Sequence, residues 1–225
     1  MVTNIAIDGP AGAGKSTIAR SLAAKLGYIY VDTGALYRAV GVNAMRKGMD
    51  TKNAEQVTSI LGETKVSLRF VDGEQRVFLG DEDVSLAIRT PEASMAASNV
   101  SAIPAVREFL FDLQRNIAKE NDCLMDGRDI GTVVLPDAQV KIFLTASAEV
   151  RAKRRYDELL AKGMKAEYNE VLEEMIQRDY QDSHRAIAPL KQADDAVLVD
   201  TSEMNLEQVL ETLETIVKEK TENEF

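Results

Sequence analysis

The chain has 225 residues, 45% of them apolar and 28% charged, with only 5 Pro, a composition that excludes a disordered or fibrous protein and is enough for a real core. At this length one core carrying an insertion is the expected organisation. A formal net charge of -10 excludes broad, nonspecific binding to nucleic acid or to an anionic membrane, since both need positive surface, and leaves room only for local basic clusters. No apolar run approaches the roughly 18 residues that cross a bilayer, and the amino terminus lacks a basic segment followed by an apolar signal core, so a cytoplasmic location is expected. The lone Cys123 has no internal disulfide partner, and with the lone His184 it cannot furnish the clustered soft ligands of a zinc site. Any metal should be hard and oxygen-bound.

Five short apolar runs recur along the chain: NIAIDG (4–9), YIYVD (28–32), DCLMDG (122–127), VKIFLTA (140–146) and AVLVD (196–200). Continuous apolar runs predict strands covered on both faces, as in a parallel sheet. Helical spacing separates them. Ile18, Ala19, Leu22, Ala23 and Leu26 fall on one face after the first run, and Leu206, Val209, Leu210, Leu213, Ile216 and Val217 do so near the end. Alternation of strand and helix predicts an α/β fold, a doubly wound parallel sheet with ligands beyond the carboxyl ends of its strands. Three of the runs end in Asp32, Asp126 and Asp200. Between about 65 and 90 the rhythm changes: Val66, Leu68 and Phe70 alternate with polar residues, Asp72-Gly73 supplies a turn, and Val77 and Leu79 resume the alternation. This predicts an inserted β-hairpin. The closing KEKTENEF reads as a frayed polar tail.

Between the first run and the first helical pattern lies GPAGAGKST, that is Gly9, Pro10, Ala11, Gly12, Ala13, Gly14, Lys15, Ser16 and Thr17. It matches G-x-x-x-x-G-K-S in the strand-to-helix setting a P-loop requires. Glycines let successive N–H groups turn toward a phosphate, the helix amino terminus adds partial positive charge, Lys15 reaches the terminal phosphates and Ser16 can ligate magnesium. ATP with Mg2+ is therefore the expected donor. The DxxG and NKxD strings of GTPases do not occur, and Asp126 is followed by Gly127-Arg128 rather than by the acidic residue with which motor ATPases activate water. A small kinase instead needs arginines converging on phosphates, because phosphoryl transfer is catalysed chiefly by positioning and charge neutralisation. Arg38, Arg107, Arg128, Arg151, Arg154, Arg155, Arg178 and Arg185 are the candidates, the last five flanking one long helical stretch. Taken singly, each reads as well as a surface ion pair, and RAKRR (151–155) as a solvated helix face.

The motifs IAIDGPAGAGKST, DTGALYRA, AASNVSAIPAVRE, DGRDIGTVVLPDA and RDYQDSHRAIAPL run through nearly the whole chain, and together they resemble the bacterial cytidylate kinase family. The resemblance implies a P-loop NTPase fold: a five-stranded parallel sheet flanked by helices, a core over 1–37 and 100–225 with a helical lid about 150–165, and a β-rich nucleoside-monophosphate-binding insertion over 38–99 containing the hairpin about 65–80. It implies transfer of the γ-phosphoryl group of ATP to CMP or dCMP by a monomer. Thr33, Arg38 and Arg128 would meet the acceptor phosphate beside Tyr37, and Thr33 stands where many members have Ser. Ser98, Arg107 and Asp129 would read the cytosine edge, Asp182 with Arg178 would hold the sugar hydroxyls, and Arg154 with Arg185 would bridge the transferring group. Lys15, Arg128, Arg154, Arg178 and Arg185 are then the catalytic set, with Ser16 on the metal and Asp126 as an outer-sphere magnesium ligand. On the residues alone Asp129 could instead cap the following turn, Asp182 could be a solvated helix residue, Tyr37 could only pack, and His184 reads as an exposed helix residue. A P-loop kinase for AMP, UMP or shikimate, or a nonenzymatic nucleotide-gated module, remains the alternative.

Overall fold

A computed structural model of the protein describes residues 2–71 and 74–222. The expected Asp72-Gly73 turn and the last three residues of the polar tail lie outside the described residues. Two compact units emerge, one built on Ile29–Cys123 and the other on Thr3–Tyr28 with the chain from Leu124 onward.

The five apolar runs are the strands β1 (Asn4–Asp8), β2 (Ile29–Asp32), β6 (Cys123–Gly127), β7 (Val140–Thr145) and β8 (Val197–Asp200). They form one sheet in the order β2-β6-β1-β7-β8. The α/β fold with a five-stranded parallel sheet, expected from those runs, is the fold observed. Its register is set by apolar matching: Ile5 pairs with Val140, Ile7 with Ile142 and Asp8 with Phe143 in the parallel β1–β7 ladder. The β7–β8 ladder, also parallel, aligns Ile142 with Val197 and Thr145 with Asp200. Ile5, Ile7, Leu22, Leu124, Met125, Ile142, Leu144 and Leu213 are among the side chains removed entirely from water, each worth about 1.5–3 kcal/mol. Leu22 and Leu213 come from α1 (Lys15–Leu26) and α8 (Leu206–Glu222), which pack on one another. The closing helix differs from expectation at both ends: Leu206 is 50% exposed at its start, and helical geometry continues through the tail as far as Glu222.

The stretch expected as one long helix is two, α6 (Ala148–Ala161) and α7 (Tyr168–Ser183). Gly163, at φ 73°, turns the chain in the left-handed region between them, a conformation that is cheap only without a Cβ. Ser147 accepts the Val150 N–H to start α6. The pair buries its own small cluster of Ala152, Val171 and Met175.

In the Ile29–Cys123 unit, α2 (Thr33–Arg46), α3 (Ala54–Leu61), α4 (Pro91–Ser101) and α5 (Pro104–Glu120) surround Leu36, Val40, Val57, Ile60, Val100, Val106 and Leu110. Proline opens both α4 and α5, where its missing N–H costs nothing. The alternating segment forms β3 (Val66–Val71) and β4 (Glu74–Leu79), paired antiparallel with Val66 opposite Leu79, and a short β5 (Glu82–Asp83) completes a second sheet. Val77 and Val84 sit over Ala35, Ala39 and Ile88.

Gly41 in α2 lets α4 approach closely, because a Cβ there would lie 2.8 Å from the Ala96 Cβ. Gly41→Ala should gain up to about 1 kcal/mol of helix propensity yet lose about 1–3 kcal/mol to overpacking. A lower urea midpoint is expected; a raised one would mean that α4 yields without strain.

Candidate active site

The phosphate loop begins where β1 ends. Gly9 has φ 151°, and a Cβ on it would overlap the Leu144 carbonyl oxygen, so only glycine fits. Gly12 and Gly14 are also left-handed, at φ 74° and 87°, and Gly14 stands at the N-cap of α1. This alternation turns the backbone into a concave nest of amides at a helix amino terminus. Lys15 is folded into it, 6% exposed, with its Nζ donating to Pro10 O at 2.7 Å. Burial lowers its ammonium to about 7, aided by repulsion from Arg128 and opposed by Asp126, Asp8 and Asp182. Ser16 Oγ donates to Asp126 Oδ2 at 3.0 Å, so the expected metal residue and the carboxylate near the end of β6 are together.

Beyond β6, Arg128 Nε donates to Asp182 Oδ2 at 2.8 Å. Asp182 is 5% exposed on α7, which corrects its reading as a solvated helix residue. Burial pushes its carboxyl up, but Arg128 first, then Arg185 and Arg178, outweigh burial and hold it below the ordinary carboxylate range. Three of the expected catalytic arginines therefore centre on one carboxylate. Arg154 is elsewhere: its guanidinium donates to Thr201 Oγ1 at 3.2 Å and to Thr201 O at 2.8 Å. Arg185 lies past the end of α7 and donates to Ala188 O at 3.0 Å. Ala188, at φ 47°, is a left-handed residue that is not glycine, a strain of about 1–2 kcal/mol that the Arg185 bond and the Leu190 N–H to Asp182 O bond hold in place. Asp129 is 5% exposed and precedes a π-helical turn, Ile130–Val134, without making a side-chain cap to it, so the capping alternative is not what the structure contains.

In the Ile29–Cys123 unit the other expected residues stand on α2, α4 and α5. Thr33 is buried at the first position of α2, just after Asp32. Asp32 Oδ1 caps the helix by accepting the Ala35 N–H at 2.9 Å, and Oδ2 accepts from Arg38 at 2.7 Å and Arg89 at 3.4 Å. Gln75 of the hairpin accepts the Asp32 N–H at 2.9 Å. Arg38 keeps a buried Nε that has no hydrogen-bond partner, a donor left over for an acceptor that the protein does not supply. Arg107, 9% exposed on α5, lies with its guanidinium 5.8 Å from the Tyr37 ring centroid, so Tyr37 does more than fill space. Ser98 is half-buried on α4. His184 is exposed as expected and stacks on Tyr180.

A sequence model of the cytidylate kinase family, described as "Cytidylate kinase", matches residues 5–219. The chain belongs to the cytidylate kinase family. A curated family relative, "Cytidylate kinase" of Caldicellulosiruptor bescii, is 49% identical over 221 residues that cover 98% of each chain. The protein of the same name from Caldanaerobacter subterraneus subsp. tengcongensis is 50% identical and covers 100% of this chain and 99% of its own. Among solved structures, a shikimate kinase from Bacteroides thetaiotaomicron shares the fold, with a TM-score of 0.51 at 13% identity over 96% of this chain and 98% of that one.

Sequence reasoning counted Arg151 among the candidate arginines but gave it no role, and RAKRR taken alone reads as solvated, whereas Arg151 is 4% exposed. Its Nε donates to Ala146 O at 2.8 Å, one Nη to Ala11 O of the phosphate loop at 3.0 Å and to Asp179 Oδ1 at 3.1 Å, and the other Nη to Asp179 Oδ2 at 2.6 Å. Its position one helical turn from Ala148 was the available signal. Asp32 was noted only as the end of an apolar run, and an Asp directly ahead of a helical pattern was the signal for its cap on α2. Cys123 is buried and its thiol is pushed up to about 12 by burial, which removes it from any nucleophilic role.

Arg151→Ala should cost about 3 kcal/mol, because it leaves the half-buried Asp179 carboxylate without its fork. The KM for ATP should rise as Ala11 loses its anchor. Thermal melts and initial rates check both, and a variant with wild-type melting and KM would remove Arg151 from the site.

Proposed function

We propose that the protein transfers the γ-phosphoryl group of ATP to CMP or dCMP, giving ADP and CDP or dCDP. The observation that carries this reading is identity near one half, over essentially full length, with curated proteins named cytidylate kinase.

The residues fit the chemistry. The amides of the 9–17 loop would wrap the ATP phosphates, and polyphosphate charge would restore the Lys15 ammonium that burial weakens. Magnesium suits the hydroxyl of Ser16 and the carboxylate of Asp126, both hard oxygen donors. Among the described residues no group of three or more His, Cys, Asp or Glu is placed to hold a metal. Bound there, magnesium would neutralise charge on the phosphate oxygens. For the acceptor, Thr33 and Arg38 would take the phosphate beside Tyr37, with the unsatisfied Arg38 Nε as one donor, and Ser98 and Arg107 would take the base. In the other unit Arg128 would take the phosphate and Asp129 the exocyclic amine that cytosine has and uracil lacks. Asp182 with Arg178 would hold the sugar, and Arg185 would face the transferring group. Arg154 would join Arg185 after exchanging Thr201 for phosphate. No general base is required, because the attacking atom is an already ionised oxygen of the acceptor's own phosphate and a loose transition state demands little of it. Among the described residues no helix is long and apolar enough to cross a membrane.

A coupled assay across CMP, dCMP, UMP, AMP and shikimate tests the reading. ATP consumption should depend on CMP or dCMP; turnover with another acceptor alone would replace the substrate. Lys15→Ala should lower kcat by about 10²–10³ with the fold intact. Asp129→Ala should reduce the preference for CMP over UMP about tenfold, the loss of one buried hydrogen bond to a charged group. Unchanged selectivity would take the base from Asp129.

A further inference from the structure

Asp8 is the last residue of β1, directly ahead of the phosphate loop, and beyond its pull on the Lys15 ammonium it has no part in the roles above. It is 4% exposed. Its Oδ1 accepts the Ile130 N–H at 2.8 Å and its Oδ2 the Gly131 N–H at 2.7 Å. Those two amides open the Ile130–Val134 turn, whose own bonds run the other way: Val133 N–H and Val134 N–H to Asp129 O, and Leu135 N–H to Ile130 O. The first N–H groups of a helical turn have no acceptor within it. Here a carboxylate from another strand supplies both acceptors, as charge-assisted bonds, and so clamps the backbone just after Arg128 and Asp129.

The clamp is built rigidly at both ends. Asp8 is held in register opposite Phe143, and its neighbour Gly9 is wedged against Leu144. At the far end a Cβ on Gly131 would touch Asp8 Oδ2 at 3.4 Å and press on Lys141 Cδ at 3.2 Å, so the space beside the carboxylate is already filled.

We propose that Asp8 is a positioning residue for the acceptor nucleotide, fixing the Arg128–Asp129 segment relative to the phosphate loop. The inference rests on the reading of Arg128 and Asp129 as acceptor contacts.

The charged groups that face Asp8 are Asp129 on the turn and Lys15 on α1; Lys141 of β7 reaches the same glycine but is paired with Asp195 at 2.7 Å. Burial raises the Asp8 carboxyl to about 6, against the pull of the Gly131 and Ile130 amides. Because the folded value lies above the ordinary 3.8, protonation favours the folded state as pH falls from about 6 toward 4, so the loss of the clamp in acid is not a loss of the fold. A neutral carboxyl presents an O–H to one of two N–H donors, and an asparagine presents an NH2 in the same place. Asp8→Asn therefore imitates the protonated state at every pH.

The test is Asp8→Asn, with KM and kcat for ATP and for CMP and amide exchange over 128–134. The KM for CMP should rise about tenfold or more while that for ATP stays within about twofold, and exchange should quicken at Ile130 and Gly131 while β1 and β7 remain protected. The Gly131 amide resonance of the wild type should titrate near pH 6, and that of the variant should not. Gly131→Ala, which leaves Asp8 in place and presses on the same contact, should give a weaker defect of the same kind. A KM for CMP within about twofold of the wild type in both variants, or a parallel loss for both nucleotides, overturns the proposal. Asp129→Ala separates the two readings: if it leaves the CMP preference intact, base recognition by Asp129 fails, and Asp8 still stands or falls on the KM for CMP through Arg128.

Discussion

Lys15 carries an ammonium into a place almost without water, with one backbone carbonyl on its Nζ. Desolvating a charge costs several kcal/mol unless opposite charge stands close. Asp8, Asp126 and Asp182 supply it, and each of the three also holds something else: the 130–131 amides, Ser16 and Arg128. The buried charge of one side chain is thus shared among groups from β1, β6 and α7. Changing any of them alters what the lysine feels. The arrangement balances charge without phosphate, yet keeps its cations lightly held, so a polyphosphate can compete for them.

The sheet makes this sharing possible. In a parallel sheet with helices on its faces, strands end at a common edge and their last residues meet. Asp8 ends β1 and Gly9 follows it, Asp126 and Gly127 close β6 with Arg128 after them, and Thr201 follows β8 to receive Arg154. In the Ile29–Cys123 unit the same logic operates locally: Asp32 ends β2 and caps α2, and its second oxygen gathers Arg38 and Arg89. Not every strand-ending aspartate works this way. Asp200 is exposed and only ties the Ser202 N–H and hydroxyl.

The strands and the phosphate loop were legible because apolar runs and obligatory glycines are local signals: Gly9 to Ser16 admit few alternatives. Asp182 and Asp129 were legible only through the family motifs, since nothing nearby in sequence shows that either is buried. Arg151 was misleading in its own neighbourhood. Four charged or basic neighbours suggest solvent, and what removes it from solvent is Asp179, 28 residues on, and Ala11, 140 residues back. The break between α6 and α7 was missed because Gly163 stands inside an otherwise helical composition, where one left-handed residue decides. The role of Asp8 was hidden for a related reason: the two amides it accepts from are over 120 residues away, and backbone amides leave no trace in side-chain sequence.

Arg151 also sets a mechanical limit. One guanidinium fastens the root of α6 to the rim of the nucleotide cradle and to the carboxyl-terminal part of α7 at once. A flap hinged at its own base would have to tear three bonds to swing. Force applied to either helix at that level is therefore passed through one side chain to the other helix and to the loop residue Ala11.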